Sequence, residues 1–165
     1  MRWFALLIVP FVVLAIAALK LTHQQVLWNV TEPGMTVDEV RAVLPRAFPP
    51  MESRPLANGL ELKLTANGVE NLERAFDADF YFNESGLQTV LLRPTRSLTI
   101  NAAASEFESL RRSATLRYGK EQPAASASHS PPAAESRWIS GRVTITLQLE
   151  QHGSMGRITM SYSAK

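Results

Sequence analysis

Trp3 to Leu19 are seventeen consecutive uncharged residues, and no later stretch of the chain is comparable. A segment without a polar face cannot lie on the surface of a water-soluble domain, so it is read as membrane-directed. As a helix rising about 1.5 Å per residue it reaches roughly 25 Å, against a hydrocarbon core of about 30 Å. Two fates fit: an uncleaved anchor in a thin bilayer, or the apolar part of a signal peptide for which Ala15-Ile16-Ala17 supplies a small-x-small cleavage site. Pro10 suits either, since proline occurs in membrane helices more often than in soluble ones. Arg2 and the amino terminus favour the cytoplasmic side for the N-terminus, with Lys20 pulling weakly the other way. Both fates deliver the residues beyond about 25 across the membrane.

The chain has no cysteine, which excludes disulfide staples, thiolate chemistry, thiol-ligated metal and lipidation on cysteine. The chain beyond the apolar segment is long enough for one domain with a real core. Seventeen Lys and Arg stand against 15 Asp and Glu, and no basic run exceeds Arg111-Arg112, so no nucleic-acid footprint is visible. The expected organisation is an anchor or signal over 1–20, a polar tether over 21–34, and a single α+β domain over 35–165.

The domain opens on a sharply marked helix. Thr36 followed by Glu39 is a capping box, Met35 and Val40 sit at the hydrophobic staple positions, and Pro45 stops the element. After Phe48-Pro49-Pro50, Leu60, Leu62 and Leu64 alternate with Glu61 and Lys63, the period of a strand buried on one face. Asn67-Gly68 is the turn expected to end it. Phe76, Ala78, Phe80 and Phe82 alternate with Asp77, Asp79 and Tyr81, and Asn83-Glu84-Ser85-Gly86 turns the chain into a third strand over Leu87–Leu92. A longer helix is expected over Ala102–Tyr118, with Asn101 as cap and Gly119 at its end, and with Ala103, Phe107, Leu110, Ala114 and Tyr118 as its buried stripe. Residues 121–136 contain no apolar side chain larger than alanine and read as a mobile surface loop. Val143, Ile145, Leu147 and Leu149, then Ile158, Met160 and Tyr162 across the turn at 152–156, make a hairpin. The expected fold is two helices packed on one face of a roughly five-stranded antiparallel sheet, after an N-terminal apolar helix. The two helix-then-strands blocks hint at an internal duplication.

The candidate chemistry is sparse. His23, His129 and His152 fall in the tether, the loop and a turn, where nothing holds them for metal binding or proton transfer. Asp77 and Asp79 share a strand face with Glu84 nearby, which raises a carboxylate cluster for acid/base work or a divalent metal; their alternation with Phe76, Phe80 and Phe82 explains them fully as the wet side of a strand. Arg111, Arg112, Arg117 and Lys120 form a basic strip suited to lipid phosphates or an acidic partner, partly offset by Glu106, Glu108 and Glu121. Asn29-Val30-Thr31 and Asn83-Glu84-Ser85 match the glycosylation acceptor pattern. There is no nucleophile elbow and no phosphate-cradling glycine loop. No catalytic, cofactor-binding or metal-ligating residue is assigned, and no cofactor is expected.

Gly34-Met35-Thr36, then Val40 and Leu44, resembles the helix start of small bacterial envelope proteins of the SmpA/OmlA (BamE) type. The run Phe80-Tyr81-Phe82-Asn83-Glu84-Ser85-Gly86-Leu87-Gln88-Thr89-Val90 is similar to that family's strand, turn and strand. The likeness covers about residues 33 to 92; the second helix and hairpin are more like the doubled arrangement of β-lactamase-inhibitor-type domains. Members of the family are usually lipoproteins, and here an apolar segment stands in place of the lipidated cysteine. The resemblance implies helices against an antiparallel sheet and a place in the bacterial envelope: the inner membrane, single pass through residues 3–19 with the domain in the periplasm, or the periplasm or medium after cleavage.

The expected role is therefore a non-enzymatic, membrane-tethered interaction domain that binds an envelope protein or lipid. One alternative is a periplasmic or secreted inhibitor that presents Phe48 or the 66–72 turn to an enzyme's cleft. The other is a hydrolase built on the Asp77 and Asp79 face.

Overall fold

The computed structural model describes residues 26–52, 54–56, 58–123 and 133–165. In chain order they form α1 (Val37–Val43), β1 (Glu61–Asn71), β2 (Arg74–Asn83), β3 (Gly86–Pro94), β4 (Leu98–Thr99), α2 (Ile100–Tyr118), β5 (Ala134–Ser140), β6 (Val143–His152) and β7 (Met155–Ala164). One antiparallel sheet runs β1-β2-β3-β7-β6-β5, with β4 added beside β7. Two three-stranded meanders are thus joined by their third strands, through Thr89–Leu92 against Met160–Ser163.

The expected five-stranded sheet carrying two helices is corrected by this count. Among the described residues seven strands are present, and α2 is the one long helix laid over them. The added strand β5 hides in part of what reads as a polar loop, because Trp138 is its one large buried apolar side chain, with Ser136 inward beside it. The other added strand, β4, is only two residues long and leaves no periodic signal. Residues 124–132 of the expected loop, the segment Trp3–Leu19 and the rest of 1–25 lie outside the described residues. Among the described residues no helix is long and apolar enough to cross a membrane.

The capping box forms as its spacing requires. Glu39 N–H donates to the Thr36 hydroxyl at 3.3 Å, and Thr36 N–H donates to the Glu39 carboxylate at 2.8 Å. α1 spans only seven residues and buries only Val40, with Leu44 and Ala47 following it into the core. α2 is capped by Thr99 rather than Asn101 and buries Ala103, Phe107, Leu110 and Ala114, a stripe at spacings of three and four. Leu27 and Trp28, placed by sequence in a polar tether, are also core residues, with Trp28 tilted against Phe80 at 6.0 Å.

Two local irregularities decide which side chains face inward. The register of β1 on β2 shifts between Leu62 and Leu64, so Leu62 lies opposite Tyr81 while Leu64 lies opposite Phe80. One extra residue reverses the alternation. Leu64 and Ala66 therefore enter the main core, whereas Leu60 and Leu62 join Tyr81 in a second apolar cluster on the other face. The expected turn at Asn67-Gly68 is a second irregularity inside β1, and the chain reverses at Leu72-Glu73 instead. Both turn residues have positive φ, 47° and 61°, as a two-residue hairpin of this hand demands, although neither is glycine. The buried Asn71 carries the ladder past Gly68. Its amide donates to the Tyr162 hydroxyl at 3.0 Å, and its carbonyl oxygen accepts from Trp28 Nε1–H at 3.3 Å.

The halves repeat one contact. Gly34 N–H donates to Leu87 O and Leu87 N–H to Met35 O, both at 2.8 Å, so the chain entering α1 is pinned to the start of β3. A Cβ on Gly86 would lie 2.2 Å from Gly34 O. In the second half, Leu98 and Thr99 pair with Gly156 and Met155 at the start of β7, and a Cβ on Gly156 would lie 2.3 Å from that of Ala103. The Gly-Met-Thr motif and the Asn-Glu-Ser-Gly turn, far apart in sequence, thus meet in space.

Candidate functional site

The helix-covered face of the sheet is the core. The opposite face is built from alternate residues of every strand and divides at the β3–β7 junction. On the first half it is largely closed. Asp79 and Tyr81 are buried there with Leu60 and Leu62, and Leu56 packs over the cluster. The Asp79 carboxylate meets the Arg93 guanidinium and accepts from the Thr65 hydroxyl at 3.1 Å. Burial, reinforced by the adjacent Asp79 charge, raises the Tyr81 phenol above its ordinary pKa. Asp77 accepts from Gly68 N–H at 3.1 Å and so holds the irregularity of β1. The two carboxylates do share a face. Asp79, however, is not on a wet side: it is buried, and Arg93 compensates the desolvation.

On the second half the same face is open. Three rows cross the strands: Glu135, Gln148 and Thr159; Arg137, Thr146 and Ser161; Ile139, Thr144 and Ser163. Apart from Ile139, which is exposed, all are half-buried by their neighbours alone. Gln148 Nε2–H donates to Glu135 at 2.8 Å and Arg137 pairs with the same carboxylate at 3.5 Å, and the Ser163 hydroxyl is tied to that of Thr89 at 3.1 Å, while Thr144, Thr146, Thr159 and Ser161 set further hydroxyls along the rows. The sheet's edges are partly capped against strand addition. Phe48 exchanges two backbone hydrogen bonds with Thr65 on β1, and Gln122 N–H donates to Arg137 O on β5 at 2.7 Å.

A second feature is a cleft at the end of the domain where the β1–β2 turn, the C-terminus of α2 and the Val26–Asn29 segment converge. It is a hollow of about 210 Å³ whose floor holds Trp28, Asn71, Tyr118 and Tyr162, with Arg117 and Glu70 at its walls. The floor is a closed hydrogen-bond chain, completed by the two tyrosine hydroxyls 3.0 Å apart. Burial pushes the Tyr162 phenol far above its ordinary range, so it stays a neutral donor throughout the working pH range. A neighbouring hollow shares Asn29, Glu70, Asn71 and Arg117 and adds Arg46.

The other sequence candidates scatter. His23 and His129 lie outside the described residues, and His152 sits 3.3 Å from Glu150 at a hairpin end. Among the described residues no three metal-ligating side chains converge. The basic strip divides: Arg111 is neutralised by Glu108 at 2.9 Å and Glu121 at 3.2 Å, while Arg117 stacks over Tyr118 at 5.7 Å on the cleft side. Glu106 pairs across with Arg74 at 3.0 Å. Residues 66–71 are strand, with the turn coming only at Leu72-Glu73, and Phe48 is bonded to β1 through Thr65. Sequence reasoning passed over Trp28 and Asn71 altogether. A tryptophan inside a supposed polar tether was the one available signal. No protein-family model, curated protein or solved structure matches the chain.

Proposed function

We propose that this chain is a non-enzymatic interaction domain of the bacterial envelope, tethered to the inner membrane by Trp3–Leu19, which holds a protein partner on the outer face of β5, β6 and β7. The observation that carries this reading is the contrast across the sheet. The outer face of the first half carries a buried apolar cluster and the Asp79–Arg93 pair, whereas that of the second half presents ordered rows of mostly polar side chains with no covering element among the described residues. A flat, rigid, polar strand surface suits recognition, which needs complementarity rather than a reactive group. The Gly-Met-Thr resemblance supports the envelope setting, since its two motifs form one packed unit here.

The test is a photo-crosslinking amino acid at Thr146 in the full chain, followed by recovery from membranes. One stoichiometric partner is expected, and Thr146→Arg with Ser161→Arg should abolish its recovery while the melting temperature stays within a few degrees. Recovery of no enriched protein, or of the same partner from the double variant, would sink the proposal. The inhibitor reading has one observation in its favour: Met51, in the Pro-rich loop beside Phe48, is fully exposed. Titration of the chain against a target hydrolase, with Met51→Asp as control, separates it from the first.

A further inference from the structure

Among the described residues the first core residue is Leu27, whose N–H donates to Thr31 O at 2.7 Å and whose side chain is buried. Seven residues separate it from Leu19, and the eight Cα-to-Cα steps fully extended span no more than about 29 Å. A domain anchored through Trp3–Leu19 therefore cannot wander from the bilayer. The surface around Leu27 must stay within that reach of the headgroups.

That surface has the composition that an anionic membrane attracts. Arg46 and Arg117 line adjoining hollows that both include Asn29 and Asn71, and among the described residues neither guanidinium has an ion-pair partner. Glu70 is the single carboxylate lining the two hollows. Beside them Val26 and Val30 are about half exposed, at 53% and 47%, as apolar side chains on the membrane side of the fold. Asn71 and the Tyr118 and Tyr162 hydroxyls stand behind the arginines as neutral hydrogen-bonding groups. Arginine suits this task because its fork matches two phosphate oxygens and it keeps its charge at every relevant pH.

We infer that this end of the domain is its membrane-facing surface, with Arg46 and Arg117 binding the phosphates of anionic phospholipids while Val26 and Val30 touch the interface. The inference rests on the tether reading above. It also fixes an orientation in which the open β5–β7 face is held sideways to the bilayer, at a set height, rather than swinging freely.

The absence of cysteine makes the test direct. A fluorophore is placed at Val30→Cys in the full chain, and as a control at Glu84→Cys, exposed at the far end of the ten-residue β2 from the Leu72-Glu73 turn. Each is reconstituted in vesicles of phosphatidylcholine alone or with a third phosphatidylglycerol, containing headgroup-labelled quencher lipid. Quenching at Val30 is expected in the anionic vesicles and little in the neutral ones, with the Glu84 position unquenched in both. Arg46→Gln with Arg117→Gln should cut the ratio of lipid-contacting to free domain by about fivefold for each arginine, as two cations near an anionic surface predict. Equal quenching at Val30 and Glu84, or a Val30 signal unchanged in the double variant, overturns the inference while leaving the tether intact. Loss of the Val30 signal on adding millimolar inorganic phosphate, with vesicle charge unchanged, overturns it in favour of a soluble anion. A chain that stays behind when the vesicles float overturns the tether reading itself, and this orientation with it.

Discussion

In the first half of the domain a threonine-capped helix of seven residues precedes β1–β3; in the second a threonine-capped helix of nineteen precedes β5–β7. Four residues after each cap stands a fully buried side chain, Val40 or Ala103, and eight after it another core residue, Leu44 or Phe107. Each helix start is pressed on a glycine that opens the third strand of its meander. The halves differ in what finishes them. Pro45 follows the end of α1, and Leu27 with Trp28 joins the core of that half. The cleft lies where the Val26–Asn29 segment meets the β1–β2 turn and the end of α2, and the cluster of Leu56, Leu60, Leu62 and Tyr81 leaves the open outer face to the second half. One plan used twice thus gives two different surfaces, because the covering segments differ and the strands do not.

The glycine contacts are the harshest test of that shared plan. Gly86→Ala sets a Cβ against a backbone carbonyl at a residue with φ of 95°, so nothing flexible can yield. A loss of about 4 kcal/mol is expected by urea denaturation. Gly156→Ala meets the Ala103 methyl on a helix that can shift slightly, and should cost about 2–3 kcal/mol. Equal and negligible costs would break the equivalence of the two contacts. Truncation of the paired helix positions comes next. Phe107→Ala should cost about 4 kcal/mol and Leu44→Ala about 2, since α2 carries the core of its half and α1 shares its own with Trp28. A reversed order would show that α1 matters more than its length implies.

Asn71→Ala probes the join between the N-terminal segment and both meanders. It strips the partner from Trp28 Nε1–H and a bond from Tyr162, for an expected loss of about 2–3 kcal/mol. Tyr118→Phe, at the more exposed end of the same chain of bonds, should cost under about 1 kcal/mol. The caps give the smallest and most discriminating effect. Thr36→Ala and Thr99→Ala should each cost about 1 kcal/mol at neutral pH. The Thr36 N–H, then its hydroxyl, lower the Glu39 pKa below its ordinary 4.5. Its stabilising contribution is therefore present above that value and lost as pH falls through the lower folded one. α2 has Ala102 at the matching position, so the cost of Thr36→Ala should shrink in acid while that of Thr99→Ala stays flat. Parallel pH profiles would remove this distinction between the halves.

The secure parts of the fold were those coded within a few residues. The Thr36–Glu39 box, the 103–107–110–114 stripe and the Val143–Leu149 alternation each declare a local period or a local bond. The surfaces were not legible in this way. Asp79 reads as a wet-face carboxylate because strand alternation reports which residues share a side, not what later covers it. Leu60, Leu62 and Leu64 read as one face because a bulge at Lys63 leaves no mark in the pattern. Trp28 and Asn71 find each other across 43 positions, and no local rule pairs an indole with an amide at that distance.

By itself, then, the sequence determined the capping box that starts α1, the periods of the long strands and the absence of cysteine. Each follows from intrinsic properties of neighbouring residues: caps, alternation and composition. Tertiary structure alone decided that β5 completes the sheet, that Leu62 and Leu64 face opposite ways, that Asp79 is buried on Arg93, and that Arg46 and Arg117 line adjoining hollows beside Trp28. Those are outcomes of register and of long-range contact, where a shift of one residue reverses every side chain and burial depends on segments far away in the chain.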